Sequence, residues 1–222
     1  MTTATLEELK AIVMLANHVA CEFNEGYLDT CILTSYALAA ALTDLGYADV
    51  RPVRVEAGSF PDDDKLYGVV LGRLHHEPGS PRVRASDGRW RGHLAVCIGQ
   101  SWLLDPTLDQ INYTDGIQWV DAGIGVEPVA ASLPPEFWDL DLPRHQRDLW
   151  VRFPAVSTRY SLAQQQNGFA RARDARPARW RPLAKEIRRW LEQTQLCPKR
   201  IGEVLREREA SRTASEQILR AH

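Results

Sequence analysis

The chain has 222 residues, enough for one well-packed domain or a domain with an appendage, and its 44% hydrophobic and 25% charged content is that of an ordinary globular protein. No run of about 18 apolar residues exists to cross a membrane, and the polar, acidic start "MTTATLEELK" is not a secretory leader, so a cytoplasmic protein without membrane association is expected. Residues 1–143 hold 9 Lys and Arg against 21 Asp and Glu, whereas residues 144–222 hold 18 against 8; the basic part is expected to fold back on the acidic body or to meet an acidic partner.

Thr5 and Glu8 fit a capping box, which predicts a helix from there to about Phe23 with Leu6, Leu9, Val13, Ala16 and Ala20 on one face. After "NEGYLD" a second helix is expected from about Thr30 to Leu45, stopped by Gly46; its sequence "CILTSYALAAALTDL" is apolar on nearly every side, which predicts a central, buried helix. Strands are expected at 50–58 and 66–74, a long loop at 75–90, and a hairpin in "GHLAVCIGQSWLLDPT" (92–107). At least one more strand is expected in "QINYTDGIQWVDAG" (110–123). A Pro-rich connector follows, and beyond it the pattern is basic and mostly helical, with an amphipathic helix over 183–196. The organisation expected is a core over 1–130 and a connector with a basic helical extension over 131–222.

The four cysteines, Cys21, Cys31, Cys97 and Cys197, are scattered and are expected to be thiols, with Cys21 and Cys97 in the core. The histidines stand at no metal-ligand spacing, so neither a metal nor an organic cofactor is implied.

Chemistry is suggested by the order of three residues. Cys31 falls in the first turn of the buried helix, where free backbone N–H groups and the helix dipole favour a thiolate. His93 and Asp105 lie on the two strands of the hairpin. Thiol nucleophile, base and orienting carboxylate make a catalytic triad, and N–H groups at the helix start would serve an oxyanion. The hairpin sets a condition: a two-residue turn at Gly99-Gln100 puts His93 and Asp105 on opposite faces, whereas a loop of odd length, such as Gly99–Ser101, puts them on one. That face also carries the small residues Ala95 and Cys97, a pattern that predicts close approach of the Cys31 helix there. Asn24, Tyr27 and Trp102 are candidates to line a substrate site, and Asp109 and Gln110 read as turn residues.

With a cysteine opening an apolar helix that ends "ALTDLGY", then "GHLAV" and "WLLDPT", the sequence resembles the transglutaminase-like superfamily over about residues 25–110. The resemblance implies an α+β fold with a papain/transglutaminase-like core: a buried helix carrying Cys on an antiparallel sheet carrying His and Asp. It implies Cys31 as nucleophile, His93 as base and Asp105 as orienting acid, in a protease, amidase, deamidase or transglutaminase acting on peptide or protein amide bonds. Arylamine N-acetyltransferases share the Cys-His-Asp order, but "GYLDTC" lacks the Arg-Gly-Gly that usually precedes their cysteine. A non-catalytic reading rests on "RARDARPARWRPLAKEIRRW" (171–190), where basic residues flank two tryptophans in a composition suited to nucleic acid or an acidic partner.

Overall fold

A reciprocal capping box opens the first helix. In the computed structural model, which describes residues 4–23, 31–61, 69–71, 93–113, 126–154, 156–163 and 179–220, the Thr5 N–H donates to Glu8 Oε2 at 2.7 Å and the Glu8 N–H to Thr5 Oγ1 at 3.2 Å. Helix α1, Leu6–Phe23, buries Leu9, Ile12, Val13, Ala16, Val19 and Ala20, while Leu6 stays largely exposed at its solvent end. Helix α2, Cys31–Asp44, is buried along almost its whole length, as its all-round apolar composition predicts. It closes in a Schellman turn: Gly46 adopts φ +90°, its N–H donates to Thr43 O at 3.0 Å, and the Tyr47 N–H donates to Leu42 O at 3.1 Å.

Among the described residues, one antiparallel sheet contains seven strands: β1 (Val50–Pro61), β2 (Val69–Leu71), β3 (His93–Ile98), β4 (Trp102–Asp105), β5 (Val129–Ser132), β6 (Leu149–Arg152) and β7 (Val156–Leu162). Their order is β5-β4-β3-β1-β7-β6, with β2 on the far half of β1. Val96 and Leu104 project from one face into a core shared with α1, α2 and α4 (Trp180–Gln193). The opposite face presents Val55, Ala57, Ala95, Cys97, Leu103, Leu149 and Tyr160 to Leu108 and Phe137. Helix α2 is thus sandwiched between the sheet and α4, while α5 (Pro198–Arg220) lies along α1. No described helix is long and apolar enough to cross a membrane.

The second half of the chain departs from the helical extension that its composition predicts. Residues 131–222 contribute β6 and β7, and β7 is a central strand, paired with β1 from Val55↔Leu162 to Pro61↔Val156. The expected boundary at 130/131 falls inside β5. In β7 the buried positions alternate with charged or polar ones, as in Arg159 beside Tyr160, so a period-2 pattern is present under the basic composition. Residues 144–147 form a single helical turn, α3 (Arg144–Arg147). Part of the strand expected after Asp109 is a 3-10 helix, Leu108–Tyr113, because Pro106 offers no ladder N–H and the chain turns off the sheet there. Residues 114–125 and the expected loop at 75–90 lie outside the described residues.

The basic C-terminal helices do meet the acidic body. Arg188 Nη1 pairs with Asp44 Oδ2 at 3.4 Å, and Arg208 pairs with Glu22 and stacks 4.1 Å over the Trp190 ring. Exposed ion pairs contribute little; α4 is held by burial of Leu183, Ala184, Ile187 and Leu191. Ile187→Ala is therefore expected to cost about 2–4 kcal/mol. Arg188→Ala is expected to leave the urea midpoint nearly unchanged.

Candidate active site

The start of α2 is fastened to the start of β3. One turn after Cys31, the buried Ser35 hydroxyl donates to the Leu94 carbonyl at 2.7 Å, and Cys31 and Ile32 pack on Leu94. This brings Cys31 beside His93, the first residue of β3, and the thiol and the imidazole are hydrogen-bonding partners. Cys31 keeps 7% exposure, whereas Cys97 has none. Ser35→Ala would leave a buried carbonyl without its partner, and a loss of about 1–3 kcal/mol in urea denaturation is expected.

The hairpin meets the parity condition. Ile98 pairs with Trp102 and Val96 with Leu104, so the loop is Gly99–Ser101, an odd number of residues. Gly99 adopts φ +57°, a left-handed conformation that glycine takes without a Cβ clash, and the Ser101 N–H donates to Ile98 O at 3.4 Å. Continued by one residue, the register sets Ala95 opposite Asp105 and makes His93 its diagonal neighbour on the same face. His93 Nε2 lies 2.7 Å from Asp105 Oδ2, and both side chains are 1% exposed or less.

Asp105 is held on both oxygens. The "DPT" sequence forms an Asx turn in which Oδ1 accepts the Thr107 N–H at 3.0 Å and the Thr107 hydroxyl at 3.4 Å. Oδ2 accepts the Tyr160 hydroxyl at 3.0 Å in addition to its contact with His93. Tyr160 lies on β7, three strand steps from β4. On a flat sheet that separation is about 14 Å, so the hydrogen bond requires the sheet to curl around this face. The sequence reading misses Tyr160; the available signal is a tyrosine at a buried position of "VSTRYSL", whose hydroxyl needs a partner. Helix α1 adds a second tie: Asn17 Nδ2 donates to Pro106 O at 2.8 Å and to Asp109 Oδ1 at 3.1 Å.

The electrostatics follow from burial and these partners. Burial alone would lower the pKa of His93, but the charge and hydrogen bond of Asp105, together with Cys31, outweigh it and raise the value to about 10. Burial pushes the Asp109 carboxyl up to about 6, with the Asp105 charge adding to it, and pushes the Cys97 thiol up to about 12. The Tyr160 phenol is raised by burial and by Asp105.

Trp102 stands at the turn end of β4, remote from Asp105 at the other end, and its side chain packs in the helix-facing core. It shares its face with Ile98, its cross-strand partner. Asn24 and Tyr27 lie outside the described residues. The small-residue face is also not the one that receives the Cys31 helix: α2 packs on the Leu94 and Val96 side, and Ala95 and Cys97 point into the concave side with Leu103 and Tyr160. Cys31 reaches His93 because both stand at the ends of their elements.

Of the basic segment 171–190, residues 179–190 are described. There Trp180 lies 6.3 Å from Tyr36 and the Trp190 Nε1–H donates to Glu186 at 2.9 Å, so both rings are engaged within the chain. Among the described residues no cluster of three or more His, Cys, Asp or Glu is placed to hold a metal. Comparison with protein-family models, curated proteins and solved structures finds no match to this chain.

Proposed function

We propose that this chain is a cysteine-dependent acyl-transfer enzyme with a papain/transglutaminase-like core, acting on amide bonds of a peptide or a glutamine side chain. The observation that carries the reading is the buried 2.7 Å contact of His93 Nε2 with Asp105, with Cys31 as the other partner of the same imidazole. Asp105 occupies Nε2, which leaves Nδ1 to face the thiol. With its pKa raised to about 10 by Asp105, His93 holds a positive charge beside the Cys31 sulfur across neutral pH, a charge that favours the sulfur as a nucleophile.

The Cys31 thiolate attacks the substrate carbonyl, and the developing oxyanion is met by backbone N–H groups at the start of α2. The imidazolium passes its Nδ1 proton to the leaving amine, the C–N bond breaks, and a Cys31 thioester remains. His93, now neutral, takes a proton from an incoming water or amine, which attacks the thioester and releases the acyl product, and Cys31 departs as thiolate. Asp105 keeps Nε2 protonated and balances the imidazolium throughout.

The test is direct trapping of the intermediate. With p-nitrophenyl acetate, a glutamine-containing peptide and a peptide amide as probes, peptide mass spectrometry should locate an acyl group on Cys31. It should be absent from Cys31→Ala and form more slowly in His93→Ala. A folded protein that acquires no acyl group at Cys31 from any of the three sinks the proposal.

A further inference from the structure

We infer that Tyr160 is a positioning residue of this site: its hydroxyl holds the Asp105 carboxylate in the orientation that presents Oδ2 to His93, and β7 thereby belongs to the machinery. The inference rests on the acyl-transfer reading for its functional meaning and on geometry for its substance. A carboxylate at the last residue of a four-residue strand is free to turn about its own axis unless both oxygens are held. Thr107 holds Oδ1 through the local turn, and Tyr160 is the hydroxyl that reaches Oδ2 from another part of the sheet. Tyr160 and His93 meet at the same oxygen, and both Tyr160 and Asp105 are fully buried.

The proton count then orders the whole relay. The phenol donates to Oδ2 and Thr107 donates to Oδ1, so Asp105 acts as an acceptor on both sides. The remaining contact at Oδ2 must be filled by an N–H, which fixes the hydrogen on His93 Nε2 and turns Nδ1 toward Cys31. Without the phenol, Oδ2 loses one of its donors, and the carboxylate is held from the Thr107 side and by His93 alone.

A purely structural role would come from the ring, which sits in the buried core with its cross-strand partners Ala57 and Leu149. Tyr160→Phe keeps that ring and removes the oxygen. It is expected to slow iodoacetamide alkylation of Cys31 at pH 6 about tenfold, the scale of one hydrogen bond to a charged group. In an Asp105→Asn background the same substitution should change the rate less than about twofold, because its effect passes through the carboxylate. NMR of the ¹⁵N-labelled imidazole supplies a readout that does not depend on reactivity: the His93 Nε2–H resonance should shift in Tyr160→Phe. It should also shift when 3-fluorotyrosine, a stronger donor of the same shape, replaces tyrosine. If wild-type Cys31 proves unreactive, the acyl-transfer reading fails, while the imidazole resonances still decide the role of Tyr160. An unmoved His93 signal, or a rate loss in Tyr160→Phe that is repeated in full in the Asp105→Asn background, overturns the inference.

Discussion

His93→Ala is expected to slow the alkylation of Cys31 by iodoacetamide about 100-fold at pH 6, on the order of the gain that an adjacent cation gives a sulfur nucleophile. The physical reason is the fixed cation beside the sulfur. His93 is held protonated to about pH 10 by Asp105, so at pH 6 its charge is complete, and alanine removes it. Cys21, near the end of α1, and Cys197, just before α5, serve as internal standards and should react at unchanged rates. Cys97, with its thiol pushed up to about 12 and no exposure, should remain unmodified in the native protein. Peptide mass spectrometry after timed alkylation across pH 5 to 9 reads all four sites in one experiment. Equal Cys31 rates in the two proteins at pH 6 would mean that no thiolate–imidazolium pair exists.

Asp105→Asn is expected to lower stability by about 3 kcal/mol at pH 6.5, the order observed when one member of a buried ion pair is removed, and to flatten the dependence of stability on pH above that point. The sign follows from linkage. His93 has a folded-state pKa of about 10, raised from 6.5, so its stabilising contribution is complete below pH 6.5 and is lost as the pH rises toward 10. Taken by itself, the His93 contribution therefore falls as the pH rises above 6.5. In Asp105→Asn the largest opposing charge is gone, burial is opposed by Cys31 alone, and that slope should shrink. Two other groups bound the useful window. Asp109, raised to about 6, stabilises at low pH and loses that contribution between about 3.8 and 6. Cys97, raised from 9.0 to about 12, begins to weaken the fold only above pH 9. Urea denaturation between pH 6.5 and 9 thus reports mainly on His93 among these three groups, and a slope left unchanged by Asp105→Asn would show that the buried pair is not the source.

Much of the site's local logic is legible from the chain alone. Cys31 at the head of an all-apolar segment marks the start of a buried helix, and Thr5 with Glu8 marks the start of α1, because caps and hydrophobic periods are properties of a few consecutive residues. The relation of His93 to Asp105 reduces to one count: three residues between Ile98 and Trp102 put both side chains on one face. The "DPT" turn is equally local, since Asp105 bonds the backbone two residues on.

What escapes the sequence depends on elements far apart in the chain. The basic composition after residue 143 suggests helices, yet "LWVR" and "VSTRYSL" become strands because β1 supplies a ladder for β7 and β7 one for β6. The Cys31 helix, too, takes the Leu94 face of the sheet instead of the small-residue face.

The sequence by itself determined where α1 and α2 begin and the parity that lets His93 meet Asp105, because each of these is set by spacing along a short stretch of backbone. The tertiary structure alone decided that β7 enters the middle of the sheet and that Tyr160 reaches Asp105 across it. Strand order and sheet curvature are settled by the burial of two faces at once, a sum over the whole chain that no local pattern contains.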